Sequence, residues 1–77
     1  MMKAAVLSKV AQIAKIAERD MSPNTRIHPA EWDSVDLLDL IAAIDEAYGV
    51  SIATESLHHC QTLGDMTRLI EQASASA

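Results

Sequence analysis

The residues with the clearest chemical potential are Asp33-Ser34, an acid and a hydroxyl placed where a loop gives way to an apolar helical pattern. A serine can act as a nucleophile or be modified by another enzyme. The three histidines show no triad order and no nucleophile elbow surrounds the serine, so a catalytic role is not supported. The structural alternative is that Ser34 is the N-cap of the helix. The sequence therefore predicts a helix cap or a serine that is acted upon.

A second chemical cluster is the run His58-His59-Cys60. Metal ligands on one helix share a face at spacings of three or four residues, whereas three consecutive side chains fan out around the axis. We therefore expect no metal site, with Cys60 packing as a small apolar residue and the other side chains solvated. A metal-binding or regulatory protein that uses this cluster is the corresponding alternative.

The segment 34–48 has a helical pattern with two apolar faces, and Gly49 follows as its C-terminal stop. One broad arc of large side chains forms a core face. The opposite side carries an apolar strip edged by acids, which is typical of a helix-docking surface. Alternatively, Leu38 and Val35 pack beneath the preceding loop. The core face comprises Leu37, Leu40, Ile41, Ile44, Ala47 and Tyr48; the strip comprises Val35, Leu38 and Ala42, with Asp39 and Glu46 at its edge.

Upstream of the serine, the sequence predicts one more helix and an ordered loop. Apolar residues at helical spacing place the first helix over about residues 3–19. Residues 20–33 contain turn formers and predict a loop. Its two large apolar residues, Ile27 and Trp32, are expected to pin it against the helices.

Downstream of the serine, two further helical segments are predicted. A weak helical turn is expected near Thr54 to His59. The last helix begins at Thr62-Leu63-Gly64-Asp65, a capping-box variant with Asp in the usual Glu position. Residues 73–77, where Ala alternates with Ser, are predicted to form a flexible, frayed tail.

The net charge of −5 is unevenly placed along the chain. All three Lys residues precede residue 20, and no Lys or Arg occurs between Arg26 and Arg68. This acidic interval repels phosphate backbones and attracts basic surfaces, which argues against nucleic acid and for basic protein partners. An ordinary solvated acidic surface is the alternative. The acids of the interval are Glu31, Asp33, Asp36, Asp39, Asp45, Glu46, Glu55 and Asp65.

Length and composition limit the possible folds and functions. With 77 residues, 49% of them hydrophobic, the chain can form one small domain that is too small for the clefts of most enzymes. Helix formers dominate and aromatic residues are scarce, which favours an all-α fold. The lone Cys60 cannot form an internal disulfide, and the N-terminal apolar run is too short for a signal peptide or a membrane span. We therefore expect a cytoplasmic monomer with no membrane insertion.

The ordered set of motifs resembles a known family. Residues 31–40, Glu-Trp-Asp-Ser-Val-Asp-Leu-Leu-Asp-Leu, are similar to the Asp-Ser-Leu segment and acidic second helix of acyl carrier proteins. Residues 44–52 are similar to the end of that helix and its following loop, and residues 62–71 to the last helix of the family. With the first helix and the long loop, the resemblance covers nearly the whole chain.

The resemblance implies one all-α domain over residues 1–77, a small four-helix bundle with a short third helix and a long loop between helices one and two. It implies a non-catalytic carrier whose Ser34, beside Asp33, receives a 4′-phosphopantetheine arm from coenzyme A. A separate, magnesium-dependent phosphopantetheinyl transferase would attach that arm. The thiol of the arm would hold acyl or aminoacyl groups as thioesters.

The partners implied are the transferase, an acyl-loading enzyme, and a synthase or acyltransferase with a basic docking surface. They would act in fatty acid, polyketide or secondary metabolite biosynthesis. The contacts that the resemblance implies are Val35, Asp36, Asp39, Asp45 and Glu46, and the apolar strip adds Leu38 and Ala42.

Two positions depart from the commonest family pattern. Trp32 stands where Gly often lies two residues before the serine, and Val35 replaces the usual Leu. The segment is more similar to stand-alone carriers of specialised acyl, aminoacyl or cell-surface pathways than to the housekeeping fatty-acid carrier. The hypothesis from a different class is an unmodified acidic helical adaptor that binds a basic partner through Val35, Leu38 and Ala42.

Overall fold

The computed structural model describes residues 2–76, and within them the chain forms four α-helices and no strand. The long connection between the first two helices contains two short 3₁₀ turns, Glu18–Asp20 and Pro29–Glu31. The predicted all-α fold, with a short third helix and a long first loop, is confirmed. The helices are α1 (Ala4–Ala14), α2 (Ser34–Tyr48), α3 (Thr54–His58) and α4 (Leu63–Ser76).

The core is built from aliphatic side chains, and no polar or charged residue of the described chain is buried in it. All four helices contribute, because each has at least one apolar stripe that must leave water. The predicted core face of α2 is confirmed: Leu37, Leu40 and Ile44 are buried, and its other three members pack against the core at its edge. The most deeply buried aliphatic side chains are Leu40, Ile44, Leu57, Leu63, Met66, Ile70, Val6 and Val10.

The first helix is shorter than the sequence predicts. It ends at Ala14 because Lys15 adopts the left-handed conformation, with φ of 61°. The backbone N–H groups of Lys15 and Ile16 both donate to the carbonyl of Ala11, which closes the helix end. The turn lets Ile16 pack against the core, and the chain continues through the first 3₁₀ turn to the buried Met21. The predicted extension to residue 19 is therefore wrong.

The long loop is fastened to the beginning of α4 by backbone hydrogen bonds. The Ile27 N–H donates to Gln61, and the Leu63 N–H donates to Thr25 at 2.9 Å. Ile27 is buried and Trp32 is half-buried against the core, as predicted. The loop is thus an ordered part of the bundle, and it delivers the chain to the start of α2.

The ends of the last two helices differ slightly from prediction. The third helix ends at His58, one residue early. The fourth extends to Ser76, so residues 73–76 are helical where the sequence predicts an irregular tail. The predicted flexibility of this segment stays a prediction, and Ala77 lies outside the described residues. Within residues 2–76, no helix combines the length and apolarity needed to cross a bilayer.

Candidate functional site

The start of α2 is capped by Asp33, and the predicted capping role of Ser34 is wrong. Asp33 has an extended backbone, and its Oδ1 accepts a hydrogen bond from the Val35 N–H at 3.1 Å. Its carbonyl oxygen accepts from the Leu37 N–H at 3.0 Å, which is the first bond of the helical ladder. Ser34 is therefore the first helical residue. A carboxylate one residue earlier satisfies the cap, so the serine is not needed for it.

The hydroxyl of Ser34 is exposed and has no hydrogen-bond partner among residues 2–76. It lies at the positive end of a 15-residue helix, where a bound phosphate is favoured. The carboxylates of Asp33 and Asp36 oppose an anion there, but Asp33 is exposed, so water and salt weaken its repulsion. The structure therefore presents an exposed, unpartnered hydroxyl at the N-terminus of α2.

Directly beside the serine, α2 presents a broad exposed surface that we call its outer face. Val35, Ala42 and Glu46 lie within about 40° of one another around the helix axis, and Leu38 and Asp39 extend the face to about 100°. Val35 is 69% exposed and Leu38 is 62% exposed, so neither packs beneath the loop. The members of the outer face are Val35, Leu38, Asp39, Ala42 and Glu46, all exposed.

Two further predicted contact residues flank the outer face. Asp36 lies on the side of α2 that faces α1 and is half-buried, whereas Asp45 lies on the other side and is exposed. Among the described residues, neither of them nor Glu46 has an ion-pair partner. All seven predicted contact residues thus lie on α2, spread over about half of its circumference and starting next to Ser34.

Sequence reasoning missed two lysines of the first helix segment that reach α2. Lys9 Nζ lies 3.0 Å from Asp39 Oδ2, so one acid of the outer face is paired. Lys3 Nζ donates to the Ala47 carbonyl at 2.8 Å and lies 5.0 Å from the Tyr48 ring centroid. A cation there satisfies a C-terminal carbonyl and complements the negative end of the helix dipole. Charge pattern alone gives no sign of these pairs, because they join residues at least 30 positions apart.

The run His58-His59-Cys60 contains one core residue and two solvated residues. Cys60 is buried with 7% exposure, whereas His58 and His59 are exposed. Burial, reinforced by the nearby Asp65 carboxylate, raises the pKa of the Cys60 thiol above its ordinary value. The thiol is therefore held in its protonated, weakly nucleophilic form. No group of three or more ligating side chains suited to a metal is found within residues 2–76.

Comparison with known proteins identifies the family. Residues 4–70 match the family described as "Phosphopantetheine attachment site". The chain therefore belongs to the phosphopantetheine attachment site family. The predicted acyl-carrier resemblance and the predicted cofactor, covalently attached 4′-phosphopantetheine, are both confirmed. This family supplies a carrier domain that is non-catalytic in itself.

A curated relative comes from Aspergillus flavus and is named hybrid PKS-NRPS synthetase lepA. It is 41% identical over 66 residues, which is 86% of this chain, and the match covers 2% of the relative's length. The similarity therefore concerns a carrier-sized segment of a much longer synthetase. No solved structure matches the chain at a significant level.

Proposed function

We propose that Ser34 is the residue that carries the 4′-phosphopantetheine arm, and that the chain presents acyl or aminoacyl thioesters on that arm to partner enzymes. The observation that carries this proposal is the exposed, unpartnered Ser34 hydroxyl at the first position of α2. Asp33 supports it by taking the capping role, which leaves the serine oxygen available.

The chain itself contributes the nucleophile and its placement. The Ser34 oxygen would bond to the β-phosphorus of coenzyme A, whose pyrophosphate bond breaks and releases the adenosine bisphosphate portion. The hydroxyl proton would pass to a base of the transferase, since no side chain of the described residues is hydrogen-bonded to it. When bound, the group supplies a terminal thiol that forms thioesters. The helix N-terminus would stabilise the phosphodiester that remains on Ser34.

The partner surface in this proposal is the outer face of α2 together with Asp36 and Asp45. Its exposed apolar centre offers contact area, and the surrounding acids favour enzymes with Lys- and Arg-lined docking surfaces. We infer that these enzymes include a phosphopantetheinyl transferase, an acyl-loading enzyme, and a synthase or acyltransferase. The likeness to a segment of a hybrid PKS-NRPS synthetase supports a place in secondary metabolite biosynthesis rather than in housekeeping fatty acid synthesis.

The direct test is to incubate the apo-protein with coenzyme A, Mg²⁺ and a broad-specificity phosphopantetheinyl transferase and to weigh the intact protein. We expect one adduct of phosphopantetheine mass on the wild type and none on Ser34→Ala. Ser51→Ala is the matched control, because it removes another exposed serine hydroxyl beyond the end of α2. No adduct across several transferases, or an adduct that survives Ser34→Ala, would contradict the proposal.

The adaptor hypothesis uses the same outer face but differs at the serine. It predicts that Ser34→Ala retains cellular function and that Val35→Asp loses it, whereas a carrier loses function with either change. Complementation of a deletion strain with the two variants distinguishes these cases. The mass of the adduct on protein purified from the native host would identify the cargo.

A further inference from the structure

One acid of α2, Asp39, differs from the neighbouring acids because a lysine of α1 covers it. Lys9 Nζ lies 3.0 Å from Asp39 Oδ2, with the two side chains 29% and 54% exposed. Asp45 and Glu46 have no such partner among the described residues. The surface that the sequence presents as uniformly acidic therefore carries a fixed positive charge on the side that faces α1.

We propose that Lys9 determines partner specificity by masking Asp39, so that a basic enzyme binds α2 chiefly through Asp45 and Glu46. The proposal rests on the proposed function, because the enzyme concerned is one that acts at Ser34. A partner with Lys or Arg opposite Asp39 meets the charge of Lys9 and is disfavoured. A partner with a neutral or acidic group at that point is accepted.

The masking works through the charge of Lys9 rather than through the strength of the ion pair. Exposed ion pairs contribute little to stability, so a partner could break this one at small cost. The ammonium group nevertheless remains within one Debye length of Asp39, and it continues to repel an incoming cation.

The shape of the surface supports a contact at this point. Lys9 and Glu46 both line a groove of about 400 Å³ between α1 and α2. A partner side chain that enters the groove meets both a cation and a carboxylate. The small residues that line the groove are Ala5, Ala43 and Ala47.

The test measures kcat/KM for transfer of phosphopantetheine to Ser34, with the full chain as the varied substrate and a broad-specificity transferase that has a basic docking surface. We expect Lys9→Gln to raise kcat/KM about two- to fivefold at low ionic strength, because it removes a repulsive charge and exposes Asp39. The gain should shrink in about 0.5 M salt, where the Debye length is only a few ångströms.

A double-mutant cycle locates the effect at Asp39. Asp39→Asn should lower kcat/KM by a smaller factor in the wild type than in the Lys9→Gln background, where it should cancel most of the gain. Asp45→Asn, on the other side of the outer face, should lower kcat/KM by a similar factor in both backgrounds. Lys15→Gln is the matched control, because it removes the same charge from an exposed residue just beyond the end of α1, six positions from Lys9.

The outcomes separate this inference from the function on which it rests. If wild-type protein takes up no phosphopantetheine, both are overturned. If Ser34 is modified but Lys9→Gln leaves kcat/KM unchanged or lowers it, this inference alone is overturned. A gain of equal size from Lys15→Gln would also overturn it, because the effect would then come from net charge. Melting curves of each variant check that the fold is intact, and we expect small changes because Lys9 is at the surface.

Discussion

The N-termini of α2 and α4 are built from similar residues but use them differently. At α4, the Thr62 Oγ1 accepts from the Asp65 N–H, and the Asp65 Oδ2 accepts from the N–H groups of Thr62 and Gln61. Arg68 adds an ion pair to the Asp65 carboxylate at 3.0 Å. The capping box predicted from the sequence is confirmed, and its polar side chains all stabilise the fold.

At α2, by contrast, one side-chain hydrogen bond closes the helix start. Asp33 caps the Val35 N–H, and the neighbouring Ser34 hydroxyl has no partner within residues 2–76. At the start of α4 the hydroxyl and the acid are both hydrogen-bonded, and we call this the closed end. At the start of α2 the acid is hydrogen-bonded and the hydroxyl is not, and we call this the open end. The comparison indicates that the Ser34 hydroxyl is left without a partner because the neighbouring Asp33 has already satisfied the cap.

The closed end is most easily broken at Gly64. A Cβ added there would lie 2.9 Å from the Pro23 carbonyl oxygen, which is backbone and which accepts the Gly64 N–H at the same distance. We expect Gly64→Ala to lower the free energy of unfolding by about 1–3 kcal/mol. The loop must move to make room for the Cβ, and this costs more free energy than the higher helix propensity of Ala contributes. Urea denaturation measures the change.

Hydrogen exchange shows whether the loss arises at this junction. The amides of Ile27 and Leu63 should exchange faster in Gly64→Ala, because their bonds join the loop to α4. The control is Gly49→Ala, which strains a backbone with φ of 70° but meets no atom within 4 Å. It should destabilise the protein without selectively exposing those amides. Unchanged stability of Gly64→Ala would contradict the close-contact account.

Low pH should destabilise the N-terminus of α4 by protonating Asp65. The backbone N–H groups of Gln61 and Thr62, followed by the Arg68 side chain, lower the pKa of this carboxyl below its ordinary value of 3.8. Because its pKa is lowered in the folded state, ionised Asp65 stabilises the fold above about pH 3.8. This stabilisation is lost as the pH falls through the folded-state pKa. We expect Asp65→Asn to melt below the wild type at pH 7, with the difference shrinking as the pH falls below 3.8.

The Arg68→Gln variant separates the cap from the ion pair. It keeps both backbone hydrogen bonds to Asp65 and removes only the guanidinium. Most of the acid dependence should therefore remain in this variant. If Arg68→Gln abolished it, the ion pair rather than the cap would hold the Asp65 pKa down.

Comparing Asp33→Ala with Ser34→Ala tests which of the two side chains stabilises the start of α2. Loss of the capping carboxylate should cost about 0.5–2 kcal/mol of stability, whereas loss of the serine hydroxyl should change stability by less than about 0.5 kcal/mol. Thermal unfolding of the apo-proteins measures both. A larger loss from Ser34→Ala would show that the hydroxyl has a structural role after all.

The smallest expected effect concerns salt. The acids of α2 repel one another, so we expect added salt or divalent cations to raise the melting temperature by a few degrees. Lys9→Gln should respond more strongly, because it leaves Asp39 without its cation. A melting temperature that does not depend on ionic strength would contradict this charge-repulsion account.

Local patterns predicted much of this fold because they depend on residues close together in the chain. The core and outer faces of α2 follow from helical periodicity, and its end follows from Gly49, whose φ is 70°. The α4 cap follows from two side chains three residues apart. The candidate site could be located for the same reason, since Ser34 and its flanking acids lie in one continuous segment.

By itself, then, the sequence determined the family, the order of helices and the position of the candidate serine. The tertiary structure alone decided where α1 ends, because the left-handed turn at Lys15 depends on packing Ile16 and Met21 into the core. It also decided that Lys9 covers Asp39, 30 residues away. Helix periodicity and capping are short-range, whereas a turn made by a non-glycine residue and a pair across two helices are stabilised only once the bundle has closed.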